Sequence, residues 1–108
     1  MIILIGSQKG GCGKSTLTIN IAAALAKLNK DVIIVDADIQ STSSRWAADR
    51  SENLPKVHCV QKYENMKNTL LDLNQRYKFV IVDVAGKDSK ELRTGMIVAN
   101  ILLIPCFT

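Results

Sequence analysis

Between an apolar run, Ile2–Ile5, and a helical pattern that starts at Lys14, the chain reads Gln8-Lys9-Gly10-Gly11-Cys12-Gly13-Lys14-Ser15-Thr16. This segment restricts the fold more than any other feature. Gly10, Gly11 and Gly13 let the backbone turn tightly and aim its N–H groups at one point. A helix opening directly afterwards adds the positive end of its dipole. A loop of this kind cradles phosphate oxygens, and it needs a strand on one side and a helix on the other. Lys14 is placed to reach β- and γ-phosphates, Ser15 offers a hydroxyl to Mg²⁺, and Thr16 can contact an α-phosphate. The residues Lys9, Gly10, Gly11, Cys12, Gly13, Lys14, Ser15 and Thr16 are therefore the expected binding loop for ATP with Mg²⁺. One position departs from the common spacing GxxxxGK[ST]: Gln8 stands where the first glycine belongs.

The rest of the chain supplies the strands and helices that such a loop requires. Apolar runs rich in Ile and Val occur at 2–5, 32–35, 79–82 and 101–104, with a weaker candidate at 57–60. None alternates with polar residues, as expected of strands covered on both faces in a parallel sheet. Helical patterns lie between them. Residues 14–29 place Leu17, Ile21, Leu25 and Leu28 on one face, with alanines filling the turns. Residues 42–50 form a shorter candidate capped by Ser41 or Thr42. Residues 64–76 carry Met66, Leu70 and Leu73 at helical spacing. Residues 88–99 begin with Asp88 as N-cap and Glu91 three residues later. Strands alternating with helices predict an α/β fold. The expected form is a three-layer sandwich with a mostly parallel central sheet flanked by helices.

Length and composition bound the remaining possibilities. The 108 residues suit one small domain, and 47% apolar content excludes a disordered chain. The longest near-apolar stretch, 95–107, contains Asn100 and Pro105 and is too short to span a bilayer. The start lacks the basic leader and cleavage site of a signal peptide, so a cytoplasmic location is expected. Cys12, Cys59 and Cys106 are too widely spaced for a CxxC metal pair and read as reduced, small apolar residues. The formal charge of +4 suits a polyanionic partner only weakly, because the basic residues are scattered. No helix follows the run at 101–104 to cover it. The expectation is one domain over residues 1–108, the N-terminal part of a longer fold.

Three carboxylates sit where open α/β sheets place ligands, at the ends of strands. Asp36 and Asp38 follow the run at 32–35, and Asp83 follows the run at 79–82. A hydrophobic strand ending in Asp supplies a carboxylate that helps hold Mg²⁺ near the phosphates. Trp46 reads as a half-buried core residue, with a partner contact as the other reading. His58 has no neighbour that suggests chemistry.

The loop Lys9-Gly10-Gly11-Cys12-Gly13-Lys14-Ser15 resembles the deviant Walker A motif, KGGxGK[ST], of the ParA/MinD superfamily of P-loop ATPases. In that superfamily the additional lysine reaches the partner's phosphates across a nucleotide-sandwich dimer, and the resemblance implies this role for Lys9. The segment Asp36-Ala37-Asp38-Ile39-Gln40 resembles the DxDPQ switch of partition ATPases, with Ile39 in place of proline. By that match Asp36 would support Mg²⁺, Asp38 would orient the attacking water, and Gln40 would belong to the switch. Val84-Ala85-Gly86-Lys87-Asp88 resembles the second switch of small plasmid ParA proteins, with Lys87 where arginine is common. The implied catalytic residues are Lys9, Lys14 and Asp38, and the implied metal residues are Ser15, Asp36 and Asp83. The resemblance further implies a slow ATPase that forms a homodimer with ATP and binds DNA nonspecifically. Hydrolysis would be stimulated by a ParB-like partner, without a membrane. The alternatives are a MinD-like membrane-cycling ATPase and a metabolic ATP-dependent enzyme of the same fold.

Overall fold

Strands made of unbroken Ile and Val are stable only where both faces are covered, and the fold meets this demand for all but the edge strands. The computed structural model describes residues 1–6, 14–37, 46–48, 50, 54–84 and 89–104. In chain order the elements are β1 (Ile2–Ile5), α1 (Lys14–Lys27), β2 (Val32–Ala37), β3 (His58–Gln61), α2 (Lys67–Arg76), β4 (Phe79–Val84), α3 (Lys90–Val98) and β5 (Ile101–Leu103). The five strands form one sheet in the order β3-β2-β4-β1-β5, and every pairing is parallel. Residues 46–48 are helical, inside the expected stretch 42–50, whose Ser41 and Thr42 caps lie outside the described residues.

Side chains alternate across the strands and build two cores. On one face Ile3, Ile5, Ile34 and Ile81 pack with Ala22 and Ala26 of α1, and Leu17, Ile21, Leu25 and Trp46 flank them. On the other face Leu4, Val35, Val80 and Val82 pack with Met66 and Leu70 at α2, with Leu92 and Val98 of α3 beside them. The three-layer α/β sandwich expected from the sequence is therefore present. Among the described residues no helix is long and apolar enough to cross a membrane.

Several local expectations need correction. The innermost line of α1 is not the leucine stripe but Thr18, Ala22 and Ala26, at 0%, 0% and 6% exposure. Small side chains spaced by four let the helix lie close to the sheet, and the leucines pack at its flanks. Leu28 is exposed because α1 ends at Lys27. Asn29 adopts a left-handed φ of 59° there. The Lys30 N–H bonds the Leu25 carbonyl and the Asn29 N–H bonds the Ala26 carbonyl, which together close a Schellman turn. Helix α2 starts at Lys67 rather than at residue 64, because Glu64 has a φ of 72°, outside the helical region.

Helix α3 is capped by Ser89, not Asp88: the Ser89 Oγ accepts from the Leu92 N–H at 3.0 Å. Both residues are good cap formers. Ser89 has extended backbone, φ −77° and ψ 158°, so the helix begins after it. Asp88 itself lies outside the described residues. The run at 101–104 was expected to be buried on both faces, yet Ile101 and Leu102 of β5 are exposed because β5 is an edge strand.

Hydrogen bonds outside the strand ladders tie segments distant in sequence together. The Met1 ammonium donates to Asn74 Oδ1 at 2.8 Å and to the Lys78 carbonyl at 2.7 Å. Asn100 Oδ1 accepts from the Ile2 N–H at 2.8 Å. Thr94 Oγ1 accepts from the Met66 N–H at 2.9 Å and donates to the Lys90 carbonyl at 2.7 Å, which ties α3 to the start of α2.

Two substitutions test this packing. Ser89→Ala should lower stability by about 1 kcal/mol through loss of the cap, read from the chemical denaturation midpoint. A Cβ at Gly95 would stand 3.1 Å from Leu4 Cδ1. Gly95→Val should therefore cost about 1–3 kcal/mol by overpacking α3 against β1, measured in the same way.

Candidate functional site

The parallel register lines up one residue from each strand at the carboxyl edge of the sheet. Gln61 pairs with Asp36, Asp36 with Asp83, Asp83 with Ile5, and Ile5 with Leu103. Neighbouring strands lie about 4.8 Å apart, so Asp36 and Asp83 stand side by side, one strand spacing from each other. Both are fully buried. Their strand neighbours Val35, Ala37, Val82 and Val84 belong to the core under α2 and α3. Alternation therefore turns both carboxylates to the opposite face, the one that α1 covers.

Helix α1 starts at the same edge. The chain leaves β1 at Ile5 and re-enters regular structure at Lys14, so the amino end of α1 is carried to the carboxyl ends of the strands. The helix packs over β2 and β4, the two strands that bear the carboxylates. Its dipole places partial positive charge at this edge. Burial of two neighbouring carboxylates is costly without compensating charge or hydrogen bonds, and this arrangement brings such compensation close.

Of the expected site residues, Asp36 and Asp83 are brought together as described. Lys14, Ser15 and Thr16 occupy the first turn of α1, with their side chains outside the described residues. Lys9, Gly10, Gly11, Cys12, Gly13, Asp38, Gln40, Gly86 and Lys87 also lie outside them. Cys59 is half-buried at the edge of the core and forms no disulfide, as expected of a small apolar residue. His58 is on the exposed edge strand β3, with its ring centroid 6.0 Å from that of Tyr77.

Two features were missed in the sequence. Thr18, one turn after Lys14, is fully buried on the inner line of α1. Its spacing from Ala22 and Ala26 was the available signal. Gly6 ends β1 in tight packing: a Cβ there would lie 3.2 Å from Leu92 Cδ1 and 3.6 Å from Val84 Cγ2. Trp46, as expected, packs half-buried at the margin of the core, with the Arg50 guanidinium 4.9 Å above its ring. Arg50 Nε also donates to the Pro55 carbonyl at 2.7 Å.

Hard oxygen donors suit Mg²⁺, and two buried carboxylates side by side provide such a set. Asp36 and Asp83 are the described residues that would hold such an ion, which would supply neutralisation of charge on bound phosphate oxygens.

Comparison with known proteins bears on the same elements. Residues 3–103 match the family model described as the CobQ/CobB/MinD/ParA nucleotide binding domain. The septum site-determining protein MinD of Synechocystis sp. is 33% identical over 107 residues, covering 96% of this chain and 32% of that protein. The maintenance of carboxysome distribution protein A of Gloeobacter kilaueensis is 31% identical over 105 residues, covering 96% of this chain and 48% of that protein. The chain thus spans half or less of the length of these relatives. Among solved structures, a plasmid partition protein from Borrelia burgdorferi B31 bound to AMPPNP superimposes with a TM-score of 0.80 at 21% identity, over 96% of this chain and 61% of that one. The sheet, the carboxylate pair at its edge and the match over residues 3–103 agree, and the chain belongs to the CobQ/CobB/MinD/ParA nucleotide-binding domain family.

Proposed function

We propose that the chain carries the phosphate and metal machinery of a ParA-type ATPase that binds and hydrolyses ATP with Mg²⁺. The observation that supports this most directly is the buried pair Asp36 and Asp83, level with the end of β1 and under the helix opened by Lys14 and Ser15. In this reading the backbone of Gly10, Gly11, Cys12 and Gly13 cradles the phosphates, and Lys14 holds the β- and γ-oxygens. Ser15, Asp36 and Asp83 supply the oxygens for Mg²⁺. Thr16 contacts the α-phosphate, and Asp38 orients the attacking water. Lys9 reaches the phosphates of a second subunit. The γ-phosphate would then hold both switch segments and a homodimer, and hydrolysis would release them. In the whole protein the dimer would bind DNA nonspecifically in the cytoplasm and answer to a ParB-like partner.

A second reading is a MinD-like ATPase that cycles on a membrane. The match to MinD across 96% of the chain favours it. ATP-loaded whole protein that bound liposomes and not plasmid DNA would select it over the partition reading.

Three outcomes are expected. Lys14→Ala should reduce steady-state ATP hydrolysis by about 10²-fold, and equal rates in a phosphate-release assay would sink the ATPase reading. Lys9→Ala should abolish ATP-dependent dimers in light scattering while leaving nucleotide binding by the monomer intact. Mg²⁺ with ATP at a hundred times the dissociation constant should stabilise the wild-type protein by about 2.7 kcal/mol. Asp83→Asn should lose most of that gain in a thermal shift measurement.

A further inference from the structure

Among the described residues, the buried polar side chains are Thr18, Asp36 and Asp83. They come from α1, β2 and β4, and α1 packs on both strands. The carboxylates turn to the face that α1 covers, and Thr18 lies on the innermost line of α1. The spacings of helix and sheet then match. On this face β2 and β4 present Val32 with Phe79, Ile34 with Ile81, and Asp36 with Asp83, each pair in register. Successive rows stand two residues apart along the strands, about 6.6 Å. Along α1, Ala26, Ala22 and Thr18 stand four residues apart, about 6 Å. The helix runs back from the carboxyl edge of the sheet, and a short connection separates its last residue, Lys27, from Val32. Ala26 therefore stands over the Val32 row, Ala22 over the Ile34 row, and Thr18 over the carboxylates.

Close approach of the helix needs only a small side chain at each of these positions, and alanine fills two of them. Threonine is a poorer helix former than alanine, and a buried hydroxyl costs stability unless it is hydrogen-bonded. Packing alone thus gives no reason for the hydroxyl, and it falls on the row where the sheet changes from apolar to charged. We propose that Thr18 is a positioning residue for the carboxylate pair. Its hydroxyl bears on Asp36 and Asp83, directly or across one bridging water, and fixes the direction in which their oxygens face. Carboxylates that ligate a metal are held by hydrogen bonds from groups that do not touch the ion, and loss of such a group typically weakens metal binding by about 10–100-fold. A hydroxyl restrains the pair without adding a positive charge that would compete with the ion. The consequence for Mg²⁺ rests on the ATPase reading, whereas the coupling of Thr18 to the aspartates does not.

Thr18→Val keeps the shape of the side chain and removes the hydroxyl, while Thr18→Ser keeps the hydroxyl. In ligand-free protein, the effect of Thr18→Val on the urea unfolding constant should differ by about fivefold or more between the wild-type background and an Asp36→Asn or Asp83→Asn background. In thermal shift titrations at fixed ATP, Thr18→Val should raise the Mg²⁺ concentration for half-maximal stabilisation by about tenfold or more. Thr18→Ser should stay near wild type, and stabilisation by ATP in EDTA should be the same in all three proteins. A Thr18→Val effect that is additive with both aspartate substitutions would overturn the proposal and leave the hydroxyl a bond to its own helix backbone. Equal behaviour of Thr18→Ser and Thr18→Val would overturn it too, as would an unchanged Mg²⁺ midpoint in Thr18→Val where the wild type responds to Mg²⁺. A wild type that does not respond to Mg²⁺ and ATP would remove the ATPase reading, and the ligand-free comparison would still decide whether Thr18 holds the carboxylates.

Discussion

The hydrogen-bonded register of β2, β4 and β1 is the constraint on which the site depends. It sets Asp36 beside Asp83 and Asp83 beside Ile5. Side chains alternate with a period of two, so a slip of one residue in β2 would swing Asp36 away from α1 and into the core occupied by Val35 and Met66. The register is held by the apolar rows below it, which would be exposed or overpacked by the same slip. Precision at the carboxylates is thus a by-product of the hydrophobic core, which needs no contribution from the carboxylates themselves.

Close approach of helices to the sheet does the complementary work. Thr18, Ala22 and Ala26 bring α1 down onto β2 and β4, and Gly95 brings α3 onto Leu4. A helix seated on small residues cannot be replaced by one seated on leucines without moving its axis outward. For α1 that distance also decides how near the amino-terminal dipole lies to the strand ends. The two edge strands differ in composition: β3 carries His58 and Gln61, whereas β5 is wholly apolar.

Much of this was legible in the sequence. The Ile and Val runs located β1, β2, β4 and β5 to within a residue or two, and the weak run at 57–60 is β3. The strand-terminal aspartates pointed to one edge, and two of them, Asp36 and Asp83, meet there. The helix boundaries were less legible. Asp88 and Ser89 are equally good caps by chemistry, and apolar periodicity does not distinguish them; the cap is at Ser89. The start of α2 depended on the left-handed backbone at Glu64, which no pattern of apolar residues announces. The inner face of α1 was misassigned because periodicity weighs large side chains, whereas contact with a flat sheet favours small ones.

The sequence by itself determined the kinds of element, their order, the glycine loop between β1 and α1, and the presence of carboxylates at strand ends. These follow from local chemistry: backbone freedom at glycine, β-branched side chains in strands, and helical periodicity. Tertiary structure alone decided the strand order β3-β2-β4-β1-β5, which makes neighbours of residues 36 and 83 and leaves β5 at an open edge. Strand order is a choice among pairings of similar local stability. It is settled by which helices can cover which face, an interaction between segments far apart in the chain.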